Sequence, residues 1–317
     1  MLPSAVMVTS SDGVKPGAEV GGYFIEDLLG WGSVASVYRV KRVSDQSVWA
    51  MKVLEPSAGV QDRFQREGRI QQVLDHPNLV RVSEILMIDG LHTLVMELVD
   101  GPSLRSWMSK NKAPFQLALH LISDIAAGVK VIHDAGLIHR DLTPANVLIH
   151  TDKHGELVPK VTDFGLAKRL NTFTGGTIAG AVLGTPTYAA PEQLRDASTV
   201  GQGVDTYALG VIFYELLVGQ GPFEGLDAYD LRVAQRDGRW ARAGKLVEGL
   251  PDAVDELLEQ LIVYLPENRI TDIDEVIRWL DELKPQKAPS QLPSWTWIAA
   301  LAMPVVALAL GALVALL

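Results

Sequence analysis

Carboxylate and amide side chains recur at close spacing in the middle of the chain. Asp141 and Asn146 lie five positions apart in a turn-like stretch before an apolar run, and Asp163 follows in Asp163-Phe164-Gly165. Oxygen atoms of this kind are the ligands that Mg²⁺ prefers, usually together with phosphate oxygens. Any one of these residues taken singly could cap a turn. The set of three at this spacing predicts a Mg²⁺ site on a triphosphate.

A glycine-containing run, GWGSVASV, occupies positions 30–37. In a dinucleotide-binding fold such a run opens a helix whose N-terminus receives the pyrophosphate. The residues that follow here, 36–41, instead alternate as a strand does, which predicts a loop between two strands. Such a loop can fold over a nucleotide and offer N–H groups to its phosphates, but a plain hairpin turn has the same pattern.

Lys52 lies at the end of the apolar run Val48–Met51, and Glu67 follows in a helical stretch. A lysine in a strand is usually a solvated edge residue. With a carboxylate to orient it, a lysine at this place serves as a point charge against phosphates. Both interpretations stay open on these two residues alone.

The elements that would position these residues divide into a strand-rich first third and a helix-rich remainder. A small strand-built lobe followed by a larger helical lobe is an α+β architecture. Alternation and helical periodicity predict strands at Tyr23–Leu29, Val34–Val43 and Val48–Leu54, and helices at Leu117–His133, Val204–Leu217, Ala253–Val263 and Ile273–Leu283.

Composition excludes several classes of protein. Of the 317 residues, 48% are hydrophobic and 21% charged, which allows a sizeable core. The net charge of −10 argues against a nucleic-acid partner, because such proteins need a basic face. The chain has no cysteine, which excludes disulfides, thiolate metal sites and a cysteine nucleophile. Its seven histidines lack the spacing of zinc ligands, so a histidine zinc site is improbable.

The two ends differ from the central block, residues 22–283. Residues 1–21 are small and polar without the features of a signal peptide, which predicts a flexible leader. Residues 284–294 are Pro-rich and predict a semi-rigid linker. The uncharged run Trp295–Leu317 would reach ~35 Å as a helix, enough to cross a bilayer. It predicts a C-terminal transmembrane helix, with a buried hairpin or helix as the alternative.

The order of these motifs resembles the protein-kinase signature set, and residues 22–283 are similar to the bacterial eukaryotic-like (Hanks-type) serine/threonine kinases. Further matching pieces are His76-Pro77-Asn78 and the run GTPTYAAPEQ at 184–193. The resemblance implies a bilobal fold with an N-lobe at 22–98 and a C-lobe at 99–283. It also implies ATP and Mg²⁺ as cofactors, and protein serine or threonine hydroxyls as substrates.

The resemblance also assigns roles to individual residues. Lys52 would hold the α- and β-phosphates and pair with Glu67, Asp141 would accept the substrate proton, and Asn146 and Asp163 would hold the metal. Met96 would be the gatekeeper, and Glu192 and Arg269 would form a structural ion pair. The implied catalytic residues are Asp141, Lys52, Glu67, Arg140 and Thr143, and the implied nucleotide site comprises Gly30, Trp31, Gly32, Ser33, Val37, Ala50, Lys52, Met96, Glu97 and Val99.

Two positions depart from the family pattern. Ala35 replaces the third glycine of the loop, which is a small change. Thr143 stands where serine/threonine kinases usually carry a lysine that contacts the transferred phosphate. Loss of that cation weakens stabilisation of the developing charge, so we predict a slower enzyme rather than a dead one.

The resemblance also suggests how the protein is regulated and which other functions compete with a protein kinase. Thr172, Thr174 and Thr177 are candidates for phosphorylation in trans, which implies a transient homodimer, and Arg140 could pair with such a phosphate. They could equally be ordinary loop residues.

The main rival function is a membrane-tethered pseudokinase, and a small-molecule phosphotransferase is a second. Because ATP is cytosolic, a kinase block attached to a membrane segment is expected to face the cytoplasm.

Overall fold

The structure, a computed structural model, describes residues 14–31, 35–54, 68–164, 187–196 and 200–285. Within these residues, the first third forms a six-stranded sheet with the order β1-β2-β3-β4-β6-β5 and antiparallel neighbours. Its strands are β1 (Glu19–Val20), β2 (Tyr23–Trp31), β3 (Ala35–Arg42), β4 (Val48–Leu54), β5 (Val82–Ile88) and β6 (Leu91–Met96). Residues 68–73 are helical and are called α1. The sheet and α1 make up the small lobe.

The sheet buries apolar side chains on both faces, which is why its central strand β4 reads as an almost continuous apolar run. One face forms an outer core around Ile25, Val40 and Met51. The other face forms an inner cluster around Ala50, Leu94 and Met96. Period-2 alternation sends neighbouring residues of one strand, such as Ala50 and Met51, to opposite faces.

The rest of the described chain forms a large, mainly helical lobe. Its elements are α2 (Leu104–Met108), α3 (Phe115–Asp134), β7 (Val147–Thr151), β8 (Leu157–Val161), α4 (Pro191–Arg195), α5 (Gly203–Val218), α6 (Ala228–Asp237), α7 (Asp252–Leu261) and α8 (Ile273–Glu282), with 3₁₀ turns at Pro144–Asn146, Ala243–Lys245 and Pro266–Asn268. Helix α5 is apolar on nearly every side because it runs through the core of this lobe. It ends at Gly219, whose φ of 87° suits a left-handed C-cap.

Two backbone hydrogen bonds join the lobes at the end of β8, the strand that precedes Asp163. The N–H of Val80 donates to Val161 O (2.9 Å), and the N–H of Val161 donates to Asn78 O (2.8 Å). Close by, a Cβ atom on Gly101 would lie 1.9 Å from the carbonyl oxygen of Ile149 in β7. A glycine is therefore required where the chain passes from the sheet to the helices.

The leader predicted at residues 1–21 is too long. Val14 is 2% exposed in the outer core, and its carbonyl oxygen accepts a hydrogen bond from the Tyr38 hydroxyl (3.2 Å). Since β1 also pairs with β2, residues 14–20 belong to the small lobe. The sequence predicted a leader there because burial of Val14 depends on contacts with strands far along the chain.

The predicted strands and helices are confirmed within one or two residues at each end. Residues 286–317, which include the predicted membrane segment, lie outside the described residues. Within the described part of the chain, α3 alone is long and apolar enough to cross a bilayer, and half of its apolar stretch is buried inside the protein.

Candidate active site

Lys52 and Asp163 meet between the two lobes. Lys52 lies in β4, opposite Val37 on one side and Leu94 on the other, and is 8% exposed. Its Nζ atom lies 2.7 Å from Oδ1 of Asp163, just beyond the end of β8. The contact brings a cation and a carboxylate from opposite lobes to one point, as a phosphate and metal site requires.

Asp141 and Asn146 form a second pair, in the loop before β7. The amide Nδ2 of Asn146 donates to Asp141 O (2.7 Å) and to Asp141 Oδ2 (3.3 Å). The Asn146 N–H closes a turn onto Thr143 O (2.9 Å), and Asn146 O accepts from Thr162 N (3.0 Å). Because Thr162 directly precedes Asp163, this last bond ties the two pairs together.

The residues present fit a divalent metal. Both donors of Asn146 Nδ2 are turned toward Asp141, which leaves the amide Oδ1 as the ligand atom. Together with the Asp163 carboxylate this is an all-oxygen donor set, which suits Mg²⁺ shared with phosphates.

Asp205 holds the loop that carries Asp141 through hydrogen bonds. It lies in α5 and is 1% exposed. Its carboxylate accepts hydrogen bonds from the backbone N–H groups of His139 and Arg140, both at 2.8 Å. It also lies 2.8 Å from Nε2 of His133. A buried carboxylate with three partners fixes the backbone that leads into Asp141.

An apolar cluster adjoins Lys52 on the inner face of the sheet. Met96 is 9% exposed and lies opposite Ala50 in the β4–β6 ladder. The cluster's remaining members are Ala35, Val37, Leu54, Val80, Val82, Ile85, Leu94, Leu98, Val99 and Leu148. Apolar side chains of this kind suit the flat apolar faces of a nucleobase, so this cluster is the candidate base pocket.

Glu97 follows β6 where the chain leaves the sheet. Its N–H donates to Arg81 O (2.8 Å), so that group is already committed within the small lobe. Its carboxylate pairs with Lys160 of β8 at 3.0 Å, and the Lys160 side chain is only 12% exposed. The pair ties the connection between the lobes to the strand that ends just before Asp163.

A third group of polar residues lies within the large lobe. The Tyr188 hydroxyl donates to Glu215 Oε2 and accepts from Arg105 Nη2 (2.8 Å). Burial raises the pKa of Tyr188 and of Glu215 above their ordinary values. In the same lobe, Arg269 binds Glu192 at 2.7 Å with its side chain fully buried, which is the ion pair that the resemblance to kinases implied.

Comparison with known proteins agrees with this geometry. The family described as "Protein kinase domain" matches residues 23–279. The chain is 34% identical over 263 residues to the probable serine/threonine-protein kinase PknB of Lactococcus lactis, covering 80% of this chain and 41% of that protein. It is also 34% identical over 264 residues to the serine/threonine-protein kinase PkaA of Streptomyces coelicolor, covering 78% and 47%.

The chain belongs to the protein kinase family. Its fold is that of the crystal structure of the Mycobacterium tuberculosis PknI kinase domain, with a TM-score of 0.66 at 24% identity over 86% of this chain and 100% of that one. The predicted bilobal fold and the similarity to bacterial serine/threonine kinases are thereby confirmed. The chain spans less than half the length of the two curated relatives above.

The glycine-rich loop of the kinase joins two strands, since Gly30 pairs with Val37 and Trp31 with Ser36 across β2 and β3. The dinucleotide-binding alternative, which needs a helix here, is excluded. Trp31 is 82% exposed at the end of β2. Gly32, Ser33, Glu67, Thr172, Thr174 and Thr177 lie outside the described residues.

Sequence reasoning missed two residues of the kinase site. Leu148 lies between the buried Val147 and Ile149, so alternation along β7 turns it away from the large-lobe core and onto the inner cluster. That alternation was readable from the sequence. Asp205 is the second residue, and its signal was also present, because an acid in the first turn of a largely apolar helix indicates a buried polar role.

Proposed function

We propose that the chain is an ATP-dependent serine/threonine protein kinase that uses Mg²⁺ to transfer the γ-phosphate to a protein hydroxyl. The observation that carries this proposal is the contact between Lys52 and Asp163, joined through Thr162 to the Asp141–Asn146 pair. No residue of this set is missing, whereas a degenerate kinase usually loses at least one.

The residues divide the work of an in-line phosphoryl transfer, in which positioning and charge neutralisation dominate. Lys52 would bind the phosphates of ATP, and the carbonyl of Glu97 and the backbone of Val99 would bind the base against Met96. Asp141 would accept the proton of the attacking hydroxyl as its oxygen bonds to phosphorus and ADP leaves. Asn146 and Asp163 would hold Mg²⁺, which would supply positive charge against the phosphates.

The test compares the wild-type protein with Asp163→Asn in Mg²⁺ and labelled ATP. Transfer of label to a generic basic protein or to the chain itself by the wild type, and not by the variant, is the expected result. An inactive wild type that still binds ATP would favour the pseudokinase, for which Thr143 is the supporting observation. Label on a small molecule alone would favour the phosphotransferase.

Regulation by phosphorylation is part of the proposal. Thr172, Thr174 or Thr177 would be phosphorylated in trans by a second copy, and Arg140 would bind the phosphate. The backbone of Arg140 is fixed, because Gln193 donates to its carbonyl oxygen and Asp205 accepts from its N–H. Phosphopeptide mapping of active protein that finds all three threonines unmodified would reject the idea.

We also propose that residues 295–317 anchor the kinase domain to the cytoplasmic face of a membrane through the linker at 284–294. The support is the uncharged length of the segment and the flanking Lys284 and Lys287. Removal of residues 295–317 is expected to move the protein from the membrane fraction to the soluble fraction with activity retained. A full-length protein that is soluble without detergent would contradict the anchor.

A further inference from the structure

Gln71 is a buried polar residue that the assigned roles do not use. It lies in α1 and is 4% exposed. Its amide Nε2 donates to the carbonyl oxygen of Phe164, 93 positions away and directly after Asp163. Glutamine is rarely buried this completely, because its amide must find partners. Here the partner is a backbone atom of the segment that carries the proposed metal ligand.

The backbone of Asp163 needs support from its surroundings. Its φ is +65°, in the left-handed region that non-glycine residues rarely adopt. Such a conformation is strained and persists only when neighbouring groups hold it. Any group that bonds the residues on either side of Asp163 therefore bears on where its carboxylate points.

Hydrogen bonds hold the residues on both sides of Asp163. Before it, Thr162 O lies 3.0 Å from Nε2 of His139, in the loop that carries Asp141. After it, Phe164 O accepts from Gln71. The two bonds come from opposite lobes, since His139 belongs to the large lobe and Gln71 to the small lobe. Between them, the Asp163 carboxylate reaches Lys52.

We propose that Gln71 is a positioning residue that, together with His139, clamps the left-handed backbone of Asp163 so that its carboxylate faces Lys52 and the metal. This inference rests on the proposed kinase function. Gln71 would act through the backbone around Asp163 and would not itself hold the metal or the nucleotide. Without its donor, the Phe164 peptide is released, Asp163 relaxes toward negative φ, and its carboxylate turns away from Lys52. Affinity for Mg²⁺ then falls while the apolar base pocket is unchanged.

The test uses the full-length protein with Gln71→Met and Gln71→Leu, which keep the volume of the side chain and remove its donor. The matched control is Gln72→Met. Gln72 is the adjacent glutamine and also donates to a backbone carbonyl, Ser83 O (2.8 Å), but it is exposed. Two quantities are measured: the Mg²⁺ concentration at half-maximal phosphorylation, and the rise in melting temperature that ATP causes with and without Mg²⁺.

For both Gln71 variants, we expect about a fivefold higher Mg²⁺ requirement, the size of one net buried hydrogen bond. The Mg²⁺-dependent part of the thermal shift should fall, and the shift with ATP alone should stay as in the wild type. Gln72→Met should match the wild type in all of these. A wild-type Mg²⁺ requirement in a folded Gln71 variant would overturn the proposal.

Two further outcomes distinguish a positioning role of Gln71 from a purely structural role and from failure of the proposed kinase function. If neither Gln71 variant folds, the residue is needed for the fold itself and the positioning role is wrong. If the wild type shows no nucleotide-dependent thermal shift, the proposed kinase function fails instead.

Discussion

The buried carboxylate of Asp205 accepts a hydrogen bond from the backbone N–H of Arg140 at 2.8 Å, one residue before Asp141. Asparagine at this position keeps the shape but turns an N–H₂ group toward an N–H donor. We expect Asp205→Asn to lower the free energy of unfolding by about 2–4 kcal/mol, because a buried donor loses its charged acceptor. Urea denaturation measures the loss.

The same substitution should lower kcat at least ~10-fold, because Asp141 loses its fixed position. KM for ATP should change little, since Lys52 and Met96 lie elsewhere. Asp252→Asn, an exposed carboxylate in α7, is the control and should match the wild type. Full stability and turnover in Asp205→Asn would mean that the loop is held by other contacts.

Thr143 offers a gain of function. Its carbonyl oxygen closes the turn with Asn146 and does not depend on the side chain, so a lysine here leaves the turn intact. We expect Thr143→Lys to raise kcat by ~10-fold by placing a cation near the transferred phosphate. Steady-state kinetics at saturating ATP measures it.

Ala145 provides the matched control, because it is exposed and lies in the same 3₁₀ turn. Ala145→Lys adds the same charge two positions away and should leave kcat unchanged. An equal rise in both variants would indicate a general effect of charge on substrate binding. No rise in Thr143→Lys would show that the missing lysine does not limit turnover.

The Glu97–Lys160 pair should affect nucleotide binding more than turnover. The pair is partly buried and joins the segment between the lobes, which carries Glu97, to β8, which carries Lys160. Its loss should therefore let the base pocket move relative to Asp163. We expect Lys160→Met and Glu97→Gln each to raise KM for ATP ~3- to 10-fold with kcat nearly unchanged.

A double-mutant cycle separates the pair from its surroundings. The two substitutions together should cost less than the sum of the single effects, with a coupling of ~0.5–2 kcal/mol for residues in contact. Lys153→Met, in the exposed turn between β7 and β8, is the control. Strict additivity would mean that the ion pair is incidental.

The pKa of Glu215 is raised above its ordinary value of 4.5, chiefly by burial, although the hydrogen bond from Tyr188 opposes the shift. The native state therefore holds this proton to higher pH than the unfolded state does. Stability from this group is greatest at low pH and falls as pH rises from the ordinary pKa through the raised one. Glutamine accepts the same hydrogen bond from Tyr188 but does not titrate.

We therefore expect the free energy of unfolding of Glu215→Gln, relative to the wild type, to increase as the pH rises above the ordinary pKa of 4.5. Urea denaturation at several pH values measures the difference. The exposed Glu256→Gln, in α7, should show no such trend. A difference that shrinks as pH rises would contradict the direction of the shift.

Much of the fold could be predicted because local pattern and tertiary burial agree. β4 was predicted with its observed bounds, Val48–Leu54, since its apolar residues fill both faces of the sheet. Lys52 and Asp163 could be brought together only through the resemblance to kinases, because nothing local to either residue specifies the other.

Other features depend on contacts that no local pattern records. Gln71 looks like its exposed neighbour Gln72 in the sequence, and only the packing of α1 against the Phe164 segment distinguishes them. Lys160 reads as an ordinary strand residue until Glu97 is placed beside it. In each case the partner lies more than 60 positions away.

The burial of Val14 bears on how the domain is prepared as a recombinant fragment. The family match starts at Tyr23, and a fragment cut there would lose the strand β1 and the side chain that seals the outer core. Loss of one buried valine side chain lowers the free energy of unfolding by roughly 1.5–3 kcal/mol. It also exposes apolar surface and a sheet edge at which other chains can aggregate. Expression boundaries should therefore fall upstream of Val14, or poor solubility will be mistaken for a property of the enzyme.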